Sequence, residues 1–296
     1  MSNLKALKSR IKSVKSTQKM TKAMKMVAAS KLRRAKQLVE ASRPYSEKIA
    51  ELISSVASNV SAKDMEAGKF PLLTGHSSNK THLVIILSSD RGLCGGLNSA
   101  TVKYSKKFIN SLIENNKEVK IFCIGKKAYE QIKSEFGNKI LNKIFGIFKN
   151  NIDYKTAEDF SKQIIKLFDE REFDICDVIY SKFKSAIAQE VVQKQLIPAN
   201  IEIEIKSSSA ANMPISYEPG KKSILSDLLP RNLTMQIYNE LLENSASEQG
   251  ARMAAMESAT NNAGKMIKNL TLVYNRTRQA NITKELIDIV SGANAV

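Results

Sequence analysis

The chain has 296 residues, 43% of them apolar, which suffices for one large or two small domains with an ordinary core. Cys94, Cys123 and Cys176 lie far apart with no Cys-x-x-Cys, and the only histidines are His76 and His82, which argues against a disulfide framework or a zinc site. The formal net charge of +17 is concentrated at one end: residues 1–39 carry twelve Lys or Arg and no acid, so an anionic partner is expected, whether nucleic acid, a lipid surface or an acidic protein face.

Residues 1–60 contain no Gly and one Pro, Pro44. Leu4, Leu7, Ile11, Val14 and Gln18 recur at 3-4-3-4 spacing, followed by Met24, Val27, Ala28, Leu32, Ala35 and Val39. Beyond Pro44 the stripe resumes at Tyr45, Ile49, Leu52, Val56 and Val60. This pattern predicts a long amphipathic helix, bent where Pro44 removes a backbone donor. Residues 61–81 read as a linker, with Gly68, Pro71 and Gly75. The texture then changes. An apolar run at 82–87 reads as a buried strand, and 99–115 as a helix after a glycine-rich turn. Strands are expected at 119–125 and 175–184, a strand or irregular piece at 139–146, and helices at 126–136 and 156–168. Further strands are expected at 190–197 and 201–206. Strand–helix alternation over 82–206 predicts a small Rossmann-like α/β domain with a mostly parallel sheet. Residues 207–230 read as a second linker.

Residues 231–296 form the last segment. Met253, Met256, Thr260, Ala263, Ile267, Leu270, Tyr274 and Thr277 make a coiled-coil seam. As one helix, 231–291 would be about 90 Å long at about 1.5 Å per residue. After the polar run 276–281 the apolar face resumes in another phase at Ile282, Leu286, Ile289 and Val290, and no charged side chain follows Asp288. A helix that changes phase is expected to change partner. Two long amphipathic helices at opposite ends of a chain whose middle is compact must pair antiparallel.

The run 88–98, with Gly92, Gly95 and Gly96, follows a strand and precedes a helix, where dinucleotide folds cradle phosphate. Its spacing is not G-x-G-x-x-G, and no G-x-x-x-x-G-K-[ST] occurs. It reads as a structural turn whose glycines allow positive φ and close helix–sheet packing. Cys94 reads as a packed residue, since neither histidine has a claim to be its base. The basic N-terminal helix lacks the aromatic interleaving of single-strand binders and stands beside no zinc-finger or helix-turn-helix pattern. A basic coiled-coil protein that binds nucleic acid remains an alternative, but the favoured partner is an acidic protein. No carboxylate pair, metal-ligand cluster or Ser/His/Asp constellation stands out. No active site, cofactor or metal is expected, and neither is a membrane span or a signal core.

Several strings resemble the gamma subunit family of the F-type ATP synthase: TQKMTKAMKMVAASK (17–31), ASRPY (41–45), SDRGLCGGLN (89–98), SEQGARMAAM (247–256), YNRTRQANITKEL (274–286) and IVSGA (289–293). The resemblance implies an antiparallel coiled coil of the terminal helices with an α/β domain at its foot. It also implies a non-catalytic central shaft, one copy per complex, inside a ring of alpha and beta subunits. The foot would bind the epsilon subunit and the membrane c ring, whose proton-driven rotation the shaft would carry to the beta-subunit catalytic sites. Nucleic acid would play no part, membrane contact would come through the complex, and the location would be the cytoplasmic face of a bacterial inner membrane in preference to the mitochondrial matrix face.

Carried over residue by residue, the resemblance makes Arg278 and Gln279 contacts to a beta-subunit loop, with Met24 on the facing helix near them. Arg252, Thr283 and Glu285 would belong to the same coupling neighbourhood, and Ile282, Leu286, Ile289 and Val290 to an apolar rotor tip. Tyr217 would meet the c ring. Lys25, where some family members carry Glu, and Asp288, where Glu is more usual, are departures from the family pattern.

Overall fold

A computed structural model describes residues 2–58, 70–76, 78–149, 152–199 and 221–293. The expected strand at 201–206, Val60 and Tyr217 lie outside the described residues. The chain divides into two units: residues 1–30 with 252–296, and residues 31–251.

The larger unit is built on a five-stranded sheet of order β3-β2-β1-β4-β5, formed by β1 (Thr81–Leu87), β2 (Glu118–Ile124), β3 (Ile140–Ile144), β4 (Ile175–Phe183) and β5 (Gln189–Ile197). Every pairing is parallel except β4 with β5. Because side chains alternate across a strand, β1 feeds two cores. Val84 and Ile86 pack with Val102 and Ile109 of α3 (Leu97–Glu114) and with Ala128, Ile132 and Phe136 of α4 (Lys126–Phe136). Leu83, Ile85 and Leu87 pack on the other face with Phe160, Ile164 and Phe168 of α5 (Tyr154–Asp169) and with Leu233, Ile237 and Leu241 of α6 (Lys221–Ala293). That two-sided burial is why β1 reads as an unbroken apolar run. The short helix α2 (Pro71–Thr74) lies within the stretch expected to be a linker.

The linker expected at 207–230 is overturned in its last part, since α6 already starts at Lys221 and runs through Pro230. The reason is burial. Leu225 and Leu229 are enclosed with Phe70 and with Ile49, Ile53 and Val56 of α1 (Ser2–Ser58), and that apolar gain overrides the local cost of a proline. Helix α1 likewise continues through Pro44. Asn239 of α6 bridges that proline: its Oδ1 accepts from Ser42 Oγ at 2.7 Å and its Nδ2 donates to Ser46 Oγ at 2.7 Å.

The α1 stripe also differs from expectation. Tyr45, Leu52 and Val27 are exposed, while Ser42, Ser46 and Ile53 hold the inward positions beyond Ala35. Small polar residues that bond across to α6 keep the 3-4 spacing where larger apolar neighbours had suggested another phase.

The glycine-rich turn is held mainly by side chains. Ser89 N–H donates to Asn98 Oδ1 at 3.1 Å, and Asp90 accepts from the N–H groups of Lys126 and Gly146. Gly95 has a positive φ of 59°, yet a Cβ at Gly92, Gly95 or Gly96 would meet nothing within 4 Å, so close packing is not what these glycines provide. The close approach is at Gly125 instead, where φ is +100° and a Cβ would fall 2.2 Å from Ser88 O. Cys94 is packed, as expected, against Leu97 and Ala251.

Glu240 is buried on α6, with Lys194 Nζ of β5 at 2.9 Å from its Oε1, while its Oε2 has no hydrogen-bond partner. Burial raises this carboxyl above its ordinary value of 4.5 against the lowering pull of Lys194. The folded state therefore binds the proton more tightly than the unfolded chain. That contribution to stability is present below pH 4.5 and is lost as pH rises through the raised pKa. Lys194 is largely solvated, so Glu240→Gln leaves no buried charge behind. The variant is expected to be about 1 kcal/mol more stable than the parent at neutral pH, with a flatter pH dependence. Thermal melts across pH check this, and a lower Tm at pH 7 would refute it.

Candidate functional site

In the smaller unit the first part of α1 pairs with the last part of α6. Lys25 Nζ meets Glu257 Oε1 at 2.6 Å, Thr21 Oγ1 meets Thr260 Oγ1 at 2.7 Å, and Gln18 Nε2 donates to Thr260 O at 3.4 Å. Numbers rise on one helix as they fall on the other, so the pair is antiparallel. A Cβ at Gly264 would sit 3.1 Å from Gln18 Nε2, so the helices are close there too. Thr21, Ala28, Met256 and Ala263 are buried, and Leu4, Leu7, Ile11 and Val14 face Ile267, Leu270, Tyr274 and Thr277 as half-buried residues of the same seam. The spacing that located this seam is the heptad pattern.

Carried to the start of α1, this register sets Leu4 opposite Thr277. From Ile282 onward the register leaves α6 with no neighbour from α1 among the described residues. Ile282, Leu286, Ile289 and Val290 are 48%, 57%, 68% and 59% exposed, and Ile287 is exposed beside them. The apolar stripe in the second phase therefore has no intrachain partner among the described residues.

The six coupling positions assigned by resemblance fall into two groups. Met24 and Arg252 are half-buried at one end of the pair, where Lys25 meets Glu257. Arg278, Gln279, Thr283 and Glu285 are exposed at the other end, and Thr283 Oγ1 donates to Gln279 O at 3.0 Å. From Arg252 to Arg278 is about 39 Å along a helix rising about 1.5 Å per residue. The expectation that Met24 lies near Arg278 is thus corrected: the register puts it opposite Glu257. Lys25 is absorbed by that same carboxylate, a pairing that sequence spacing across 232 residues could not signal.

The charge of the unit has one sign. Residues 1–30 carry eight Lys or Arg and no acid, and residues 252–296 carry six against three acids. Lys5, Lys8, Lys12, Lys15, Lys19 and Lys22 follow the seam one residue behind it, all exposed and none paired with a carboxylate among the described residues. No group of His, Cys, Asp or Glu among the described residues could hold a metal ion, and no helix there is long and apolar enough to cross a membrane. What this arrangement offers is surface: a basic flank, a polar patch and an apolar end.

A family model described as ATP synthase matches residues 3–296. The ATP synthase gamma chain of Allorhizobium ampelinum is 47% identical over 296 residues, all of both chains. Those of Pelagibacter ubique and Rhodospirillum rubrum are 48% and 44% identical, again over the full length of both. A chain from the central stalk and c-ring structure of the Tetrahymena thermophila mitochondrial ATP synthase aligns with a TM-score of 0.60 at 28% identity, covering 81% of this chain and 99% of that one. A chain from the OSCP/F1/c-ring structure of the Euglena gracilis mitochondrial enzyme has a TM-score of 0.66 at 18% identity, covering 99% and 94%, a likeness of fold.

The helix pair supplies its own test. The Thr21–Thr260 hydrogen bond is partly buried, whereas the Lys25–Glu257 pair is largely solvated. Thr260→Ala should lower amide-exchange protection around Thr21 by about fivefold, the equivalent of about 1 kcal/mol. Lys25→Ala should change it by less than about twofold, as for an exposed ion pair. The reverse ranking would show that charge, not the hydroxyl pair, holds this stretch.

Proposed function

The chain belongs to the ATP synthase gamma-chain family, and from that premise we propose how its parts divide the work of a central rotor shaft. The shaft couples rotation of the membrane c ring, driven by proton flow, to ATP synthesis at the beta subunits, and runs in reverse on hydrolysis. The observation that supports the division is the exposed apolar stripe of α6 past the start of α1, Ile282, Leu286, Ile289 and Val290. An apolar helix face of that kind needs a foreign surface, and the alpha–beta ring supplies it. The last residues, 291–296, carry no charged side chain, which suits turning, since charged contacts there would have to break at every step.

Arg278, Gln279, Thr283 and Glu285 form the coupling contact to a beta-subunit loop, and Met24 with Arg252 forms a second contact further along the shaft. The lysine stripe faces acidic beta-subunit loops. An asymmetric shaft offers each beta subunit a different surface, so each adopts a different nucleotide affinity, and rotation passes these states around the ring. The coupling is reciprocal, so ATP hydrolysis must drive the shaft backwards. The chain itself is non-catalytic. The α/β domain is the foot that binds epsilon and the c ring, with Tyr217 as a c-ring contact, at the cytoplasmic face of a bacterial inner membrane. No similarity supports the alternative of a nucleic-acid-binding coiled coil.

Reconstitution with alpha and beta subunits tests the reading. Burial pushes the Cys123 thiol up to about 12 and raises Cys176 as well, and all three native cysteines are buried. A probe therefore belongs on an exposed position such as Lys107→Cys of α3. ATP-driven rotation of that probe is expected, and neither assembly nor rotation would refute the assignment. In Arg278→Ala with Gln279→Ala, stability should shift by less than about 0.5 kcal/mol, because both side chains are exposed. ATP-driven proton pumping per ATP hydrolysed should nevertheless fall. Unchanged pumping would remove these residues from the coupling contact.

A further inference from the structure

Strand β4 changes neighbours along its length. Residues 175–179 pair with β1, and the pairing stops at Ile179. On its other side β4 pairs with β5 as far as Phe183. The vacated side is not left open, because α6 takes it over with side chains. Asn244 Oδ1 accepts from Ser181 N–H at 3.3 Å, Ser247 Oγ donates to Ser181 O at 2.7 Å, and Glu243 Oε2 accepts from Phe183 N–H at 2.9 Å. Residues 181 and 183 point the same way along a strand, so three successive backbone groups on one edge are claimed by one face of one helix. Thr101 of α3 meets Ser181 Oγ at 3.1 Å. One helical turn beyond Ser247, a Cβ at Gly250 would lie 2.9 Å from the Phe183 ring, so only glycine lets α6 come this close. Lys36 of α1 stands over the same ring, 5.1 Å from its centroid.

Apolar packing tolerates a helix rolling on its axis, because side chains can repack. Hydrogen bonds to a fixed strand edge do not. A side-chain tip about 5–6 Å from the axis moves about 2 Å when the helix rolls by about 20°. That displacement takes bonds of this length out of range. We infer that the Ser181–Phe183 end of β4, gripped by Glu243, Asn244 and Ser247 and closed by Gly250, is the torsional joint of the rotor, where rotation of the α/β domain becomes torque on α6. The joint rests on the rotor reading above. Its residues are positioning residues for energy transfer, remote from any nucleotide.

The test uses the assembled complex, attached through the alpha–beta ring and carrying a bead on Lys107→Cys of the α/β domain. The readout is the angular spread of the bead while the motor is paused, beside the rate of ATP turnover. Glu243→Ala with Asn244→Ala should widen the angular variance by about twofold, since two of the three bonds are lost, with turnover little changed. Glu243→Gln keeps an oxygen for the Phe183 N–H and should keep the parental width. If the double variant does not assemble, Glu243→Ala alone, at a half-buried position, should widen the spread by a smaller amount. An unchanged width in the Ala variants overturns the joint. A parental complex that assembles without turning the bead overturns the rotor reading, and the joint with it.

Discussion

The burial of α6 changes along its length, and much of the structure follows from that. Residues 232–251 are buried or half-buried all round, held by the sheet, by α5 and by α1. Residues 252–281 keep only a seam covered, and 282–291 keep nothing covered among the described side chains. Helical stability in proteins comes mostly from packing an apolar face, so the stabilisation per residue must decline from one end of this helix to the other. The enclosed part can bear Pro230 and buried carboxyls such as Glu240, whereas the uncovered part has only its own helical hydrogen bonds among the described residues.

Small and polar residues do much of the joining. Thr21 with Thr260, and Ser42 and Ser46 with Asn239, occupy seam positions where aliphatic knobs would bury more area. They give less hydrophobic stabilisation, but they specify register. A slip of one residue would leave several half-buried hydroxyl and amide groups without partners, at about 1–3 kcal/mol each. The same device recurs at the β4 edge, where Asn244 and Ser247 replace a strand. A helix that must not slide or roll gains more from directional bonds than from additional leucines.

The seam was legible because its period is short-range: Leu4 to Val14 and Met256 to Thr277 announce themselves at 3-4 spacing, and β1 announces itself as an apolar run. The strands and helices expected between 82 and 197 fell within a few residues of expectation for the same reason. What escaped was long-range. Nothing near Lys25 points to Glu257, nothing near Gly125 points to Ser88 O, and the extension of α6 upstream of Pro230 depends on Phe70 and Ile53 being close by. Tyr45 and Leu52 have the size of seam residues but not the position, because Ser42 and Ser46 take the inward places by bonding to Asn239. The spacing alone revealed the exposed apolar end; the coupling roles of Met24, Arg252, Arg278 and Gln279 came from the family strings, since Met24 reads in the spacing only as one more seam residue and the exposed polar Arg278 and Gln279 leave no periodic trace.

The row of lysines from Lys5 to Lys22 has a consequence for the subunit before it has partners. Like charges at three- and four-residue spacing repel along a helix, and neutralising carboxylates are scarce on the facing strand of the pair. With a Debye length of about 8 Å at physiological ionic strength, comparable to the spacing of these ammonium groups, the repulsion is only partly screened. The solitary subunit thus carries electrostatic self-energy along the helix pair, and an anionic surface placed against these lysines would lower it. Such a contact would then also act on folding: it would firm the pair where its own packing covers only a seam.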